Sequence, residues 1–124
     1  MEDFNLILKE LIKREEFNSN ITDSLKQEFE KTAESYVQKG NLLDATKVFA
    51  ITKNKEKLIQ VAELCLKENK PYDAYSGFYY ADDAEGLNKL GYIFLNLPDL
   101  NAALKCFKKS NNSEMILFIE SNFS

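Results

Sequence analysis

The sequence predicts an all-α protein built from a repeated pair of antiparallel helices. The first observation is a period of 29 residues, which aligns residues 24–52, 53–81 and 82–110 without a gap. The second is a set of slots that keep the same kind of side chain in all three copies. The third is a helix-breaking Gly or Pro near the middle of each unit. A period held in this way is typical of helical repeat arrays, in which every unit is one supersecondary element.

Six slots define the predicted core of each unit. In the first helix they hold a large apolar residue, a small residue and then an aromatic or apolar one; in the second they hold Ala, Phe and a small residue. Slot by slot, the residues are Phe29, Leu58 and Leu87; Ala33, Ala62 and Gly91; Tyr36, Cys65 and Phe94; Ala45, Ala74 and Ala103; Phe49, Phe78 and Phe107; and Thr52, Ala81 and Ser110. Small residues let two helix axes approach to about 8–10 Å. We expect the Phe of the second helix to fill the space against the next unit.

Residues 1–20 are predicted to form an N-terminal capping helix. An apolar stripe at i, i+3, i+4, i+7 and i+8 runs along residues 3–16: Phe4, Ile7, Leu8, Leu11 and Ile12. Glu16 and Asn20 occupy the slots that hold Ala and Phe in the repeats. This segment therefore covers one end of the array rather than forming a further unit, because terminal units need a polar outer face.

Each unit carries a signal for the start of its first helix and a break about sixteen residues later. The start signals have the spacing of a capping box: Ser24 and Gln27, Lys53 and Glu56, Asp82 and Glu85, and Asn111 and Glu114. Because lysine is a poor cap, Asn54 is the alternative in the second unit. The breaks are Gly40-Asn41, Asn69-Lys70-Pro71 and Pro98-Asp99. This pattern predicts two helices per unit, of roughly 14 and 11 residues.

Residues 111–124 restart the repeat without a second helix and are predicted to form a C-terminal capping helix. Residues 115–119 are an unbroken apolar run that includes Leu117 and Phe118, more than one helix face can bury on its own repeat. Two interpretations remain open: the helix is a buried cap, or its apolar face meets another chain. With the two caps, the chain has about eight helices in a single domain, residues 1–124.

The core slots resemble those of the tetratricopeptide repeat. In that family a bulky, a small and an aromatic residue in the first helix are followed by Ala, an aromatic and a small residue in the second. The units here have 29 residues instead of about 34 and lack the closing proline. They are similar to the short helical hairpins of membrane-coat and intraflagellar-transport solenoids. The resemblance implies a right-handed superhelix whose first helices line a groove for a partner peptide or helix.

The resemblance also implies which residues line that groove. By register, they are Gln27, Glu30, Glu34, Gln38, Ile59, Glu63, Lys67, Asn88, Tyr92 and Asn96. One subclass of the family clamps a peptide's terminal carboxylate with Lys and Asn, but Glu30 and Glu34 stand at those positions. We therefore expect an acidic groove, which favours a basic or neutral segment.

A second candidate surface is a cluster of tyrosines in the second helix of the middle unit. Tyr72, Tyr75 and Tyr79 lie at i, i+3 and i+7, on one face, and Tyr80 follows. Tyrosine suits contact surfaces because its ring is apolar and its hydroxyl tolerates water. The alternative is packing between helices around the small Gly77. If the cluster binds a partner, Tyr75 and Tyr79 are the candidate residues.

Composition argues against catalysis and against nucleic-acid binding. The chain has no histidine, which removes the commonest general base and metal ligand. Cys65 and Cys106 are too far apart in sequence for a zinc motif and fit the core instead. The net charge is −4 and the lysines are scattered, whereas phosphate binding needs clustered basic residues. We expect no metal, cofactor, nucleic acid or membrane insertion, and a cytoplasmic location because few cysteines and no export signal are present.

The function predicted from the sequence is non-enzymatic protein–protein interaction, as an adaptor that uses the groove or the tyrosine-rich face. The alternative is a structural segment of a larger coat- or transport-type assembly. In that case the chain self-associates through its apolar C-terminal helix, with Leu117 and Phe118 at the interface.

Overall fold

The computed structural model describes residues 22–123, and within that range the regular structure is all α-helical. The seven helices are α1 (Asp23–Gln38), α2 (Leu42–Ile51), α3 (Lys55–Lys67), α4 (Pro71–Ala81), α5 (Ala84–Asn96), α6 (Leu100–Lys109) and α7 (Ser113–Phe123). Connections of two or three residues let each helix pack against the next. The all-α prediction is confirmed. The described part has seven helices rather than about eight, and the predicted N-terminal cap, residues 1–20, lies outside it.

The repeat boundaries are marked by residues in the left-handed backbone region. Lys53, Asp82 and Asn111 share one slot and have φ of 58°, 53° and 58°. Each therefore closes the helix before it, because helices commonly end with a residue in the left-handed region. The prediction that these residues cap the following helix is wrong, because a left-handed residue ends one helix before the cap of the next can begin.

The N-caps lie elsewhere. Asn54 Oδ1 accepts from the Lys57 amide at 3.2 Å, and Asn112 Oδ1 accepts in the same way from the amide three residues on, at 3.1 Å. Thr22, not Ser24, caps α1 by accepting from the Leu25 amide at 3.1 Å. In the second and fourth units the cap thus stands one residue beyond the predicted position, which confirms Asn54 as the cap of α3.

The core follows the predicted slots except at Tyr36 and Ser110, which are only partly buried. The side chains of Phe29, Phe49, Phe78, Phe94 and Phe107 are all buried, as are the Ala and Gly residues of the small slots. A Cβ atom at Gly77 would lie 2.7 Å from the backbone oxygen of Leu58, so α3 and α4 cross at close range. The ring of Phe78 lies against Gly86 of the next unit, which confirms that this Phe fills the space between units.

The second helices of the three units are not evenly spaced. The backbones of α2 and α4 approach closely, whereas those of α4 and α6 do so at few positions. The facing slots explain the difference. In α2 they hold the buried residues Thr46, Ala50 and Ile51; in α4 they hold Tyr75, Tyr79 and Tyr80, which are only partly buried. The rings of Tyr75 and Tyr79 lie on the side of α4 that faces α6, and their bulk accounts for the wider separation of the two helices.

The last helix, α7, packs against α6 with only one of its apolar residues, Ile119, fully buried. Glu120 is exposed and stands in the slot that Ala33, Ala62 and Gly91 occupy in the complete units. The apolar residues Leu117 and Phe118 are 68% and 48% exposed. The first of the two interpretations, that this helix is a fully buried cap, is therefore wrong.

Candidate protein-interaction surfaces

Several residues assigned to the groove connect one unit to the next. Glu30 Oε2 accepts from the amide group of Asn54 at 2.8 Å. At the equivalent slot of the third unit, Asn88 Oδ1 accepts from Asn112 Nδ2 at 3.0 Å and from the hydroxyl of Ser110 at 2.7 Å. These side chains therefore bridge first helices of neighbouring units.

The groove carboxylates are also paired with lysines. Glu34 Oε1 lies 2.8 Å from Lys57 Nζ, and Glu63 Oε2 lies 3.2 Å from Lys89 Nζ. The hydrogen bond and charge of Glu34 raise the pKa of Lys57. Exposed pairs of this kind contribute about 0.2–1 kcal/mol each, so they add little to stability. Their charge is also locally neutralised, which weakens the case for an acidic groove.

The remaining groove candidates offer a shallow apolar surface. Ile59, Glu63 and Lys67 line a depression of about 400 Å³ on the surface of α3, together with Gln60 and Leu64. Tyr92 of α5 is exposed on one side, and the other side of its ring lies edge-on to Phe107, with 5.3 Å between ring centroids. These residues keep the solvent contact that partner binding requires, and their role stays a prediction.

The tyrosine face, defined as Tyr72, Tyr75 and Tyr79, lies on α4 where that helix faces α6. Tyr75 is half-buried, and its ring centroid is 5.7 Å from that of Tyr79. Tyr79 is 40% exposed, with Lys109 Nζ 4.5 Å from its ring centroid. Lys109 is in turn 3.6 Å from a carboxylate oxygen of Asp82. The face is therefore partly ordered by α6 and partly open to solvent.

Between α4 and α6 the separation leaves a cleft of about 430 Å³, called here the α4–α6 cleft. Its lining residues are Tyr72, Tyr75, Phe94, Asp99, Asn101, Ala102 and Lys105. Tyr72 forms one wall, with 59% of its surface exposed and its ring centroid 4.9 Å from that of the buried Phe94. The volume lies in the range of small ligand pockets in proteins, about 300–1,000 Å³.

Two hydrogen bonds to Asp99 hold one wall of the cleft in position. The Tyr72 hydroxyl donates to Asp99 Oδ2 at 2.6 Å, and Asp99 Oδ1 accepts from the Ala102 amide at 3.1 Å, which caps α6. The hydrogen bond from Tyr72 holds the pKa of Asp99 below its usual value, and the same bond raises the pKa of Tyr72. Asp99 thus fixes the position of the Tyr72 ring relative to α6.

The sequence placed Tyr72 on one face with Tyr75 and Tyr79 but did not select it as a binding residue. It gave no sign of Asp99 as the anchor of Tyr72 or of Lys105 at the rim of the cleft. The only signal in the sequence was the i, i+3, i+7 spacing of the tyrosines. The partners Asp99 and Lys105 lie about one repeat further along the chain. Their contact with α4 depends on how two second helices are placed side by side.

Leu117 and Phe118 form a separate surface on α7. The ring of Phe118 is edge-on to that of Phe123, with centroids 6.2 Å apart, and both rings reach solvent. The residues that line the α4–α6 cleft come from α4, α5, α6 and the turn before α6, so this α7 surface is distinct from the cleft.

Both cysteines in the described range have free, buried thiols. Burial raises the pKa of the Cys65 thiol to about 11 and that of Cys106 to about 12, so neither is a thiolate at neutral pH. Across residues 22–123, no group of three or more Cys, Asp or Glu is placed to hold a metal ion. None of the helices in this range has the length and apolar character needed to cross a bilayer.

Comparison of the chain with known protein families, with curated proteins and with solved structures finds no match.

Proposed function

We propose that this protein is a non-enzymatic, cytoplasmic interaction module that binds a partner protein through its tyrosine face and the α4–α6 cleft. In this proposal the helix pairs form a right-handed superhelix of the tetratricopeptide type, and the module acts as an adaptor. The buried, unpaired thiols of Cys65 and Cys106 are compatible with a reducing compartment.

The observation that carries the proposal is the position of Tyr72. A large ring that is 59% exposed, yet fixed by a 2.6 Å hydrogen bond to Asp99, is ordered without being buried. Rigid aromatic rings supply contact area at small entropic cost, and Tyr is enriched where proteins bind each other. The groove on the first helices is the alternative face, but four of its polar residues are engaged between units.

The test is selection of short random peptides on the immobilised protein, followed by mapping of the selected peptides with amide NMR shifts. We expect the shifted amides to lie in α4 and α6. Ala102→Leu fills the cleft and should abolish binding. Ala84→Leu places the same side chain in the first turn of α5, outside the cleft, and should leave binding intact.

Amide NMR shifts confined to α1, α3 and α5 would show that the peptides bind in the groove instead. Failure to select any peptide, or equal binding by both Ala→Leu variants, would contradict the proposal.

The exposed α7 surface favours a second candidate function, a segment of an assembly that associates with copies of itself. Light scattering tests it directly. A dimer or larger species that becomes a monomer in Leu117→Asp, but not in the matched exposed variant Leu97→Asp, would support self-association. A monomer for the unmodified chain would remove this candidate.

A further inference from the structure

We propose that the partner bound at the α4–α6 cleft is an acidic peptide segment in which a large apolar side chain stands next to a carboxylate. This inference rests on the proposed function and adds the chemistry of the partner. The apolar side chain enters between Tyr72 and Tyr75 and the carboxylate pairs with Lys105 at the rim.

The cleft walls select the apolar anchor. The rings of Tyr72, Tyr75 and Phe94 supply three of its sides, and the methyl group of Ala102 lines a fourth. Phe94 is buried beneath Tyr72, so a side chain that enters the cleft exchanges water for ring carbons. Removing apolar surface from water is the main favourable term in most protein associations. A cleft of about 430 Å³ has room for one large side chain and the backbone beside it.

The charges at the cleft select an acidic neighbour. Lys105 lines the cleft, is exposed, and has no ion pair with any other described residue. Asp99, the carboxylate in the cleft, already accepts hydrogen bonds from the Tyr72 hydroxyl and the Ala102 amide, one on each oxygen. Asp99 keeps its negative charge and is near enough to Lys105 for that lysine to help lower its pKa, but the Lys105 ammonium group itself has no direct partner at the rim within residues 22–123. An opposite charge on the partner gives electrostatic complementarity, which sets orientation and specificity.

The surrounding helix has the same sign of charge. α6 carries Lys105, Lys108 and Lys109 and no acidic residue. Lys109 is paired with Asp82 and Lys108 lies outside the cleft, so Lys105 is the lysine of α6 that lines it. The charged groups that line the cleft are thus the Asp99 carboxylate, which already accepts two hydrogen bonds, and the Lys105 ammonium group, which has no ion-pair partner among the described residues.

The experiment uses three pools of fluorescein-labelled peptides with the same Leu and Phe content. Their polar positions carry Asp and Glu in the first pool, Asn and Gln in the second, and Lys in the third. Fluorescence anisotropy measures binding to the unmodified chain. We expect the acidic pool to bind more tightly than the amide pool and the lysine pool to bind least. Added salt should reduce the difference, because exposed charges are screened.

Charge reversal at the rim tests the assignment of Lys105. Lys105→Glu replaces one attraction with a repulsion, so we expect roughly tenfold weaker binding of the acidic pool and tighter binding of the lysine pool. Lys108→Glu makes the same change in net charge three residues away, outside the cleft, and should alter binding by less than about twofold. An acidic pool without Leu and Phe should not bind.

The outcomes separate the two proposals. If the lysine or amide pool binds the unmodified chain at least as tightly as the acidic pool, with amide shifts in α4 and α6, the inference is overturned and the proposed function stands. Equal effects of Lys105→Glu and Lys108→Glu would also overturn it, since the cause would be net charge alone. If no pool binds and random selection also fails, both proposals fall.

Discussion

Phe78 offers the sharpest test of the packing between repeat units. Its ring is fully buried and lies against the next unit, where a Cβ atom at Gly86 would come within 2.4 Å of two ring carbons. Replacing Phe78 with Ala removes about 1.5–3 kcal/mol of transfer free energy. Because Gly86 has no side chain that could move into the space, a void of roughly 70 Å³ would persist and add about 1.5–2 kcal/mol. The expected loss in the free energy of unfolding is therefore about 3–5 kcal/mol.

Urea denaturation followed by circular dichroism measures this loss. Phe118→Ala removes the same ring from an exposed position on α7 and should cost less than about 1 kcal/mol. A loss below about 1 kcal/mol for Phe78→Ala, or equal losses for the two variants, would show that the ring of Phe78 does not fill the space between α4 and α5. The assignment of the repeat register would then be wrong.

Three further predictions concern the close crossing of α3 and α4, the hydrogen bond between Tyr72 and Asp99, and the two buried thiols. Gly77→Ala gains about 1 kcal/mol of helix propensity but loses about 1–3 kcal/mol to overpacking, so urea denaturation should show a net loss of up to about 2 kcal/mol; a gain would contradict the close crossing. Tyr72→Phe removes the donor to Asp99, so carboxyl NMR titration should show the pKa of Asp99 rising towards its ordinary 3.8. Because the pKa of Asp99 is lowered in the folded state, ionised Asp99 stabilises the fold above its unfolded pKa, and this stability is lost as pH falls through the folded pKa. Tyr72→Phe should therefore reduce the loss of stability between these two pKa values. An unchanged pKa of Asp99 in the variant would show that the hydrogen bond from Tyr72 does not form. Cys65 and Cys106, with thiol pKa values raised to about 11 and about 12, should resist Ellman's reagent at pH 8 in the native protein and both react in urea; rapid native reaction would mean that they are accessible.

The elements of the fold were predictable because the same physical constraint acts three times. Burial of a ring opposite a small residue is required at each helix crossing, so Phe49, Phe78 and Phe107 recur with the period of the chain. Single signals are ambiguous, but three aligned copies average out the substitutions within each slot. The helix pairs and the buried slots could therefore be read from the repeat.

The caps of α5 and α7 were misplaced by one residue because local signals overlap at the unit boundaries. Asp82 and Asp83 are both good N-cap residues, and so are Asn111 and Asn112. Aspartate and asparagine also tolerate the left-handed region, and the end of the preceding helix takes the first residue of each pair for that purpose. Which role each residue has depends on the length of the helix before it.

The candidate site was only partly predictable because it depends on differences between units. Exchange of Thr46 and Ala50 for Tyr75 and Tyr79 changes the distance between second helices, and no periodic pattern reports that distance. The pairing of Glu34 with Lys57 is equally invisible, since it joins residues of different units through flexible side chains. Exposure could be predicted from the sequence for these carboxylates, but not the identity of their partners.

The unequal spacing of the second helices has a mechanical consequence. Between the first two units, backbone contact occurs on two sides, where α2 meets α3 and where α2 meets α4. Between the next two, close backbone contact is concentrated where α4 meets α5, and the other side is spanned by side chains such as the Tyr72–Asp99 pair. A joint that is held firmly on one side bends more easily than one held on both. A ligand bound between α4 and α6 would restrict this bending and set the angle between the second and third units.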